Sequence, residues 1–270
     1  MKIKALRSSL LAVFASTALF AGAASAMPIT KTVDISVYQL CDDAGNNCAS
    51  TGPAGNEYFA DATNKIWAQA GISVTFTFIS QIFSSAFLDL DDVPGDDFDA
   101  LHSAYGTGPS TSSIDMFLIN DFDGAYGVGW SGLGGLVMSM QSIMDYDCEG
   151  VAGCTGRIDT LAHELGHNFG LVALSDPDYF DDPNDSGHSS VDEQLMRGGE
   201  YRSVPVTLDD ISPDGLGLSQ LSDFQIEMAR SSSLLRDVPV SGNTVPEPGS
   251  LALMAAGLLA FGASRRRRNS

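Results

Sequence analysis

Basic side chains are scarce in this chain, with 14 Lys and Arg against 34 Asp and Glu. Half of the 14 sit at the ends: Lys2, Lys4 and Arg7 at one, the run 265–268 at the other. The segment 27–264 keeps seven basic residues and all 34 acidic ones, a formal charge of −27. Nucleic acid and anionic membrane surfaces both need a basic patch, so neither is an expected partner. Histidine is scarcer still, with four in 270 residues. Cysteine is limited to four, in two close pairs. Cys41 and Cys48 enclose DDAGNN, and Cys148 and Cys154 enclose EGVAG. Two local disulfides, Cys41–Cys48 and Cys148–Cys154, are the natural pairing in an oxidising compartment, and they leave no cysteine for a metal. Long apolar runs are also lacking: 10–21 is too short to span a membrane and 251–264 is marginal.

What is present starts with HELGHNFGL at 163–171. His163 and His167 are four residues apart, which places both imidazoles on one face of a helix. Two such imidazoles can share one zinc ion, with Glu164 beside them to act as general base. A catalytic zinc needs three protein ligands and one open position. His188 is the candidate third ligand. Asp176 and Asp178 are its rivals nearer in sequence, and Glu193 or Glu200 would serve in a zinc protease with a downstream glutamate. His102, in DFDALHSAY, has no ligand partner in sequence and reads as an exposed helix residue.

The segment 27–240 has the length of one domain. TKTVDISVYQL at 30–40 and ISVTFTFIS at 72–80 alternate and read as strands, and IDMFLIN at 114–120 as a buried one. Between the first two, 56–71 carries Phe59, Ala62, Ile66, Trp67 and Ala70 at helical spacing, stopped by Gly71. A glycine-rich loop at 124–134 leads into the strand GLVMSM, and 157–170 is the helix bearing the histidine pair. A late helix over 218–235 offers Leu221, Phe224, Ile226, Met228 and Leu234 to the core. This order predicts an α+β fold with an α/β-type N-terminal part.

The ends read as addresses. Residues 1–26 have a basic start, an apolar stretch and Ala24-Ser25-Ala26, the form of a signal peptide. VPEPGS closes a linker over 241–250, followed by the apolar 251–264 and four arginines, in a tail spanning 251–270. Pro246-Glu247-Pro248, the apolar segment and the arginines together resemble the PEP-CTERM sorting signal of Gram-negative bacteria. That resemblance implies an exosortase-type partner, transient membrane anchoring through 251–264, and release to or display on the cell surface.

The zinc motif resembles that of the metzincin endopeptidases, whose HExxHxxG continues to a third histidine three residues on. Here that position is Ala173. His188 instead opens HSSVDEQLM, with Met196 eight residues later. In metzincins of the matrixin type, the third histidine is commonly followed by Ser and, eight residues on, by the methionine of a tight turn. The segment thus looks like a metzincin one displaced by 15 residues. The resemblance implies a twisted mixed sheet, an active-site helix, a Met-turn and a C-terminal helix. It also implies zinc held by His163, His167 and His188, Glu164 as the base in hydrolysis of a polypeptide substrate, and GLVMSM as the strand the substrate pairs with. The expected state is a monomer. The displaced loop 173–187 holds Asp176, Asp178, Asp181, Asp182 and Asp185, a set that suits calcium as well as it suits a solvated acidic loop. Ala173 and the displacement also leave open a second reading, a surface or matrix protein with a degenerate metzincin fold.

Overall fold

A computed structural model describes residues 27–91, 96–107, 113–122, 125–130, 134–148, 150–171, 188–198 and 202–238. The signal-like segment, the acidic loop 173–187 and the sorting tail lie outside the described residues, and the calcium and export readings with them.

The sheet is mixed and mostly parallel. Its strands are β1 (Lys31–Cys41), β2 (Ile72–Phe83), β4 (Ser113–Ile119), β6 (Gly127–Trp130) and β7 (Gly135–Ser139), in the order β2-β1-β4-β7-β6. β1 pairs in parallel with β2 and β4, and β4 in parallel with β7. Only β6 runs antiparallel within that path, and the two-residue β8 (Arg236–Asp237) adds antiparallel to the start of β1. A small second pair joins β3 (Asp89–Leu90) to β5 (Asp121–Phe122). Six of the seven residues of β4 and all five of β7 are buried, as central parallel strands require.

Helices cover both faces. α1 (Ala60–Ala68) and α4 (Thr160–Asn168) pack on one, touching each other. Phe59, Ala62, Ile66, Trp67 and Ala70 are all fully buried or nearly so, as the helical spacing predicts. The Trp67 ring meets Phe169 edge-on at 4.8 Å, joining α1 to the end of α4. α2 (Asp96–Tyr105) lies on the opposite face, where Phe98 stacks on Trp130 of β6 and His102 meets Phe117 of β4. A short helix, α3 (Met140–Met144), follows β7, and α5 (Asp223–Arg230) comes late in the chain.

Three expectations need correction. His102 is buried, 7% exposed, because Phe98, Phe117 and the bare backbone of Gly106 and Gly135 enclose its ring. The late helix covers eight residues rather than 218–235, and of its expected core only Leu221 is buried. Ile226, Met228 and Leu234 pack from the margin, while Gln225 is fully buried, since it closes the capping box with Ser222 and donates to Gln194. Finally, GLVMSM is no sheet edge. β7 is hydrogen-bonded to β4 on one side and β6 on the other, so the edge beside α4 is β6.

Candidate metal centre

α4 begins after Asp159 and delivers His163 and His167 from one face. The chain returns with 188–198, placing His188 against them. The three rings have centroids 4.9, 5.1 and 5.2 Å apart, and one nitrogen of each lies within 4.8 Å of the others. Among the described residues this is the one group of three or more His, Cys, Asp or Glu that could hold a metal ion. Glu193 is exposed and stands outside it; Asp176, Asp178 and Glu200 fall outside the described residues.

Two of the rings are oriented by backbone carbonyls. His163 Nδ1 is 2.7 Å from the Leu195 oxygen, and His167 Nδ1 is 3.1 Å from the Leu171 oxygen. A carbonyl only accepts, so each Nδ1 carries the proton in these contacts and each Nε2 keeps its lone pair for the cluster. The donor set, neutral imidazoles on nitrogens that converge within one ion's reach, fits zinc.

Glu164 is 6% exposed, and its Oε2 accepts the N–H of Gly129 on β6 at 2.7 Å. Burial pushes its carboxyl up to about 7, with the Gly129 hydrogen bond pulling the other way. Burial also drives His163 well below the usual imidazole value, and the nearby Arg202 charge adds to this. A neutral imidazole is the form a metal ligand needs.

Tight packing fixes α4 in place. A Cβ on Gly129 would sit 2.2 Å from the Glu164 carbonyl oxygen, so only glycine lets β6 and the helix approach this closely. A Cβ on Gly166 would sit 2.3 Å from Met196 Sδ. Met196 is fully buried against Gly166 of α4, and its backbone oxygen accepts the Ser189 N–H at 2.7 Å. Asn168, at the end of α4, donates to the carbonyls of Trp130 and Gly135 at 2.8 and 2.9 Å.

Sequence reasoning missed Gly129, Asp159 and Arg202. Arg202 and Asp159 form an ion pair at 3.0 Å with side chains 1% and 0% exposed. In a chain this poor in basic residues, each internal arginine was a signal that could have been followed. The expected disulfide pairs Cys41–Cys48 and Cys148–Cys154 both lie at disulfide distance.

A protein-family model described as the PEP-CTERM protein-sorting motif matches residues 244–268. No curated protein matches the chain. Among solved structures, the chain is similar to an archaemetzincin from Methanopyrus kandleri at 14% identity and TM-score 0.40, covering 74% of this chain and 94% of that one. It is also similar to a zinc-dependent peptidase from Methanocorpusculum labreanum at 13% identity and TM-score 0.36, covering 72% and 99%. A chaperone–substrate complex is similar at 12% identity and TM-score 0.33, covering 76% of this chain and 34% of that one. Among the described residues, no helix is long and apolar enough to cross a membrane.

Proposed function

We propose that this chain is an exported zinc-dependent endopeptidase, with His163, His167 and His188 as ligands and Glu164 as general base. The observation that carries the reading is the convergence of three imidazoles beside a buried carboxyl that is itself held by a strand edge. Bound there, zinc supplies Lewis acidity toward water and toward a peptide carbonyl. The chain's own residues do the rest. Leu195 and Leu171 fix the rings of His163 and His167 through their carbonyls. Glu164, buried and held by the Gly129 N–H, is placed to take a proton from water and return it to a leaving amine. Its tether to Gly129 leaves one carboxylate oxygen for that work.

The same tether places the base against β6. That strand is the edge of the sheet among the described residues, and an extended polypeptide adding there would lie along the histidine cluster. Met196, packed under Gly166, takes the place of the Met-turn methionine in this reading. The match at 244–268 supports export and surface sorting, with an exosortase-type enzyme as the partner of the tail.

The test is cleavage of an unstructured polypeptide by the purified full-length protein. Cleavage that a chelator abolishes, zinc restores and Glu164→Gln removes is the expected result. A folded protein that holds zinc and cleaves nothing would favour a non-catalytic surface or matrix role.

A further inference from the structure

We infer that Arg202, paired with Asp159, is a positioning residue for the first histidine: it holds the Leu195 carbonyl in place to receive His163 Nδ1. This rests on the reading of the histidine cluster as a zinc site.

The two groups are isolated from water. Arg202 and Asp159 have side chains 1% and 0% exposed, in a protein with seven basic residues over 27–264. An ion pair buried so completely is weak evidence for stability, since desolvation of both charges offsets their attraction. The contacts it makes are therefore the informative part. Asp159 is occupied on both oxygens, by Arg202 Nη2 at 3.0 Å and by the Ser219 hydroxyl at 2.7 Å. Ser219 is itself fully buried and held at φ 53, a left-handed backbone that serine rarely adopts.

With one end of the guanidinium anchored in this way, the other end reaches the site. Arg202 Nη1 donates to the Leu195 carbonyl, the same oxygen that receives His163 Nδ1 at 2.7 Å. A carbonyl has two lone pairs and accepts both. Arg202 Nη1 also lies 2.9 Å from His163 Nδ1. A guanidinium cannot accept a proton, so Nδ1 either donates to Leu195 or, in the opposite tautomer, accepts from Arg202. Only the first tautomer leaves Nε2 free to ligate, and the arginine supports it by fixing the acceptor. The path Ser219–Asp159–Arg202–Leu195–His163 thus runs from the loop before α5 to the His163 ring nitrogen opposite the ligating one, through the residue just before α4 and the one that precedes Met196. Arginine suits the task because its planar fork serves two partners in fixed directions; an ammonium is a single point charge.

The test uses the full-length protein, zinc affinity measured by competition with a chromophoric chelator, and the visible spectrum of the cobalt-substituted protein. Two variants are built to fold. Arg202→Lys keeps the charge opposite Asp159. The pair Arg202→Met with Asp159→Val removes both charges together, so no lone buried charge remains. In each, the folded protein is expected to bind zinc about 10- to 100-fold more weakly, the usual cost of losing an outer-shell partner. The cobalt spectrum should also change, since one imidazole loses its fixed orientation. A purely structural role would lower the melting temperature and leave both readouts as they are. Zinc affinity within about twofold of wild type, with an unchanged cobalt spectrum, would overturn the inference while leaving the zinc site intact. Failure of the wild-type protein to bind zinc at all would overturn the parent reading as well.

Discussion

Gly129→Ala isolates the contact between β6 and α4. The added Cβ would lie 2.2 Å from the Glu164 carbonyl oxygen, 2.8 Å from its carbonyl carbon and 3.1 Å from its Cα. All three atoms are backbone of α4, so no rotamer change relieves the clash. Restoring ordinary contact requires β6 and α4 to separate by about 1 Å. Overpacking of this kind costs about 1–3 kcal/mol, which in a domain of this size lowers the melting temperature by about 2–12 °C. The catalytic effect should exceed the stability effect. The Gly129 N–H to Glu164 bond is 2.7 Å, and the proposed base Glu164 and proposed ligands His163 and His167 ride on the displaced helix. A misplacement of about 1 Å can cost about 100-fold in rate. Thermal melting and kcat/KM on a peptide substrate, measured with zinc bound and below the melting transition, read the two effects separately. Gly127→Ala, whose Cβ would come 3.0 Å from Glu164 Cγ and from the Val137 oxygen, should lose less of each. A Gly129→Ala protein with wild-type melting and wild-type turnover would refute the close approach and the role given to it.

Met196→Ala should cost about 2–5 kcal/mol, since a fully buried side chain under α4 is lost; Met196→Leu should cost less than about 1.5 kcal/mol, and denaturant titration separates them. Trp67→Ala should cost about 3–5 kcal/mol, because its ring joins α1 to Phe169, and the same titration measures it. Burial pushes the Asp210 carboxyl up, but hydrogen bonds from the Thr207 N–H and hydroxyl and the Val206 N–H outweigh it and hold the group below its usual range. A depressed carboxylate stabilises the fold above its unfolded pKa and loses that contribution as pH falls through the folded one. Asp210→Asn should therefore destabilise the protein at neutral pH and flatten the acid limb of its melting curve; an unchanged acid limb would contradict the assignment.

Where the sequence was legible, the signal was local. HELGH specifies its own geometry, because four residues of helix put both histidines on one face. The α1 core followed from spacing alone, and β1, β2 and β4 from alternation or continuous apolarity. The illegible parts depend on partners far apart in sequence. GLVMSM carries the same residues whether at an edge or in the interior, and only the pairing of β6 with it settles which. His102 looked exposed because nothing nearby in sequence explains a buried imidazole; Phe117 and Gly135, which enclose it, come from other strands. The late helix is shorter than its apolar pattern because Leu221 and Leu234 continue that pattern beyond the cap at Ser222 and the end at Arg230. Arg202 and Asp159 are charged residues 43 positions apart, and the usual surface placement of such residues hides a buried pair.

The most direct test of the account is the zinc stoichiometry and affinity of the full-length protein beside His188→Ala, with Asp176→Asn and Asp178→Asn as comparisons. One zinc per chain in the wild type is expected. Affinity should fall by orders of magnitude in His188→Ala and stay at the wild-type level in both aspartate variants. Wild-type zinc affinity in His188→Ala would contradict the three-histidine centre.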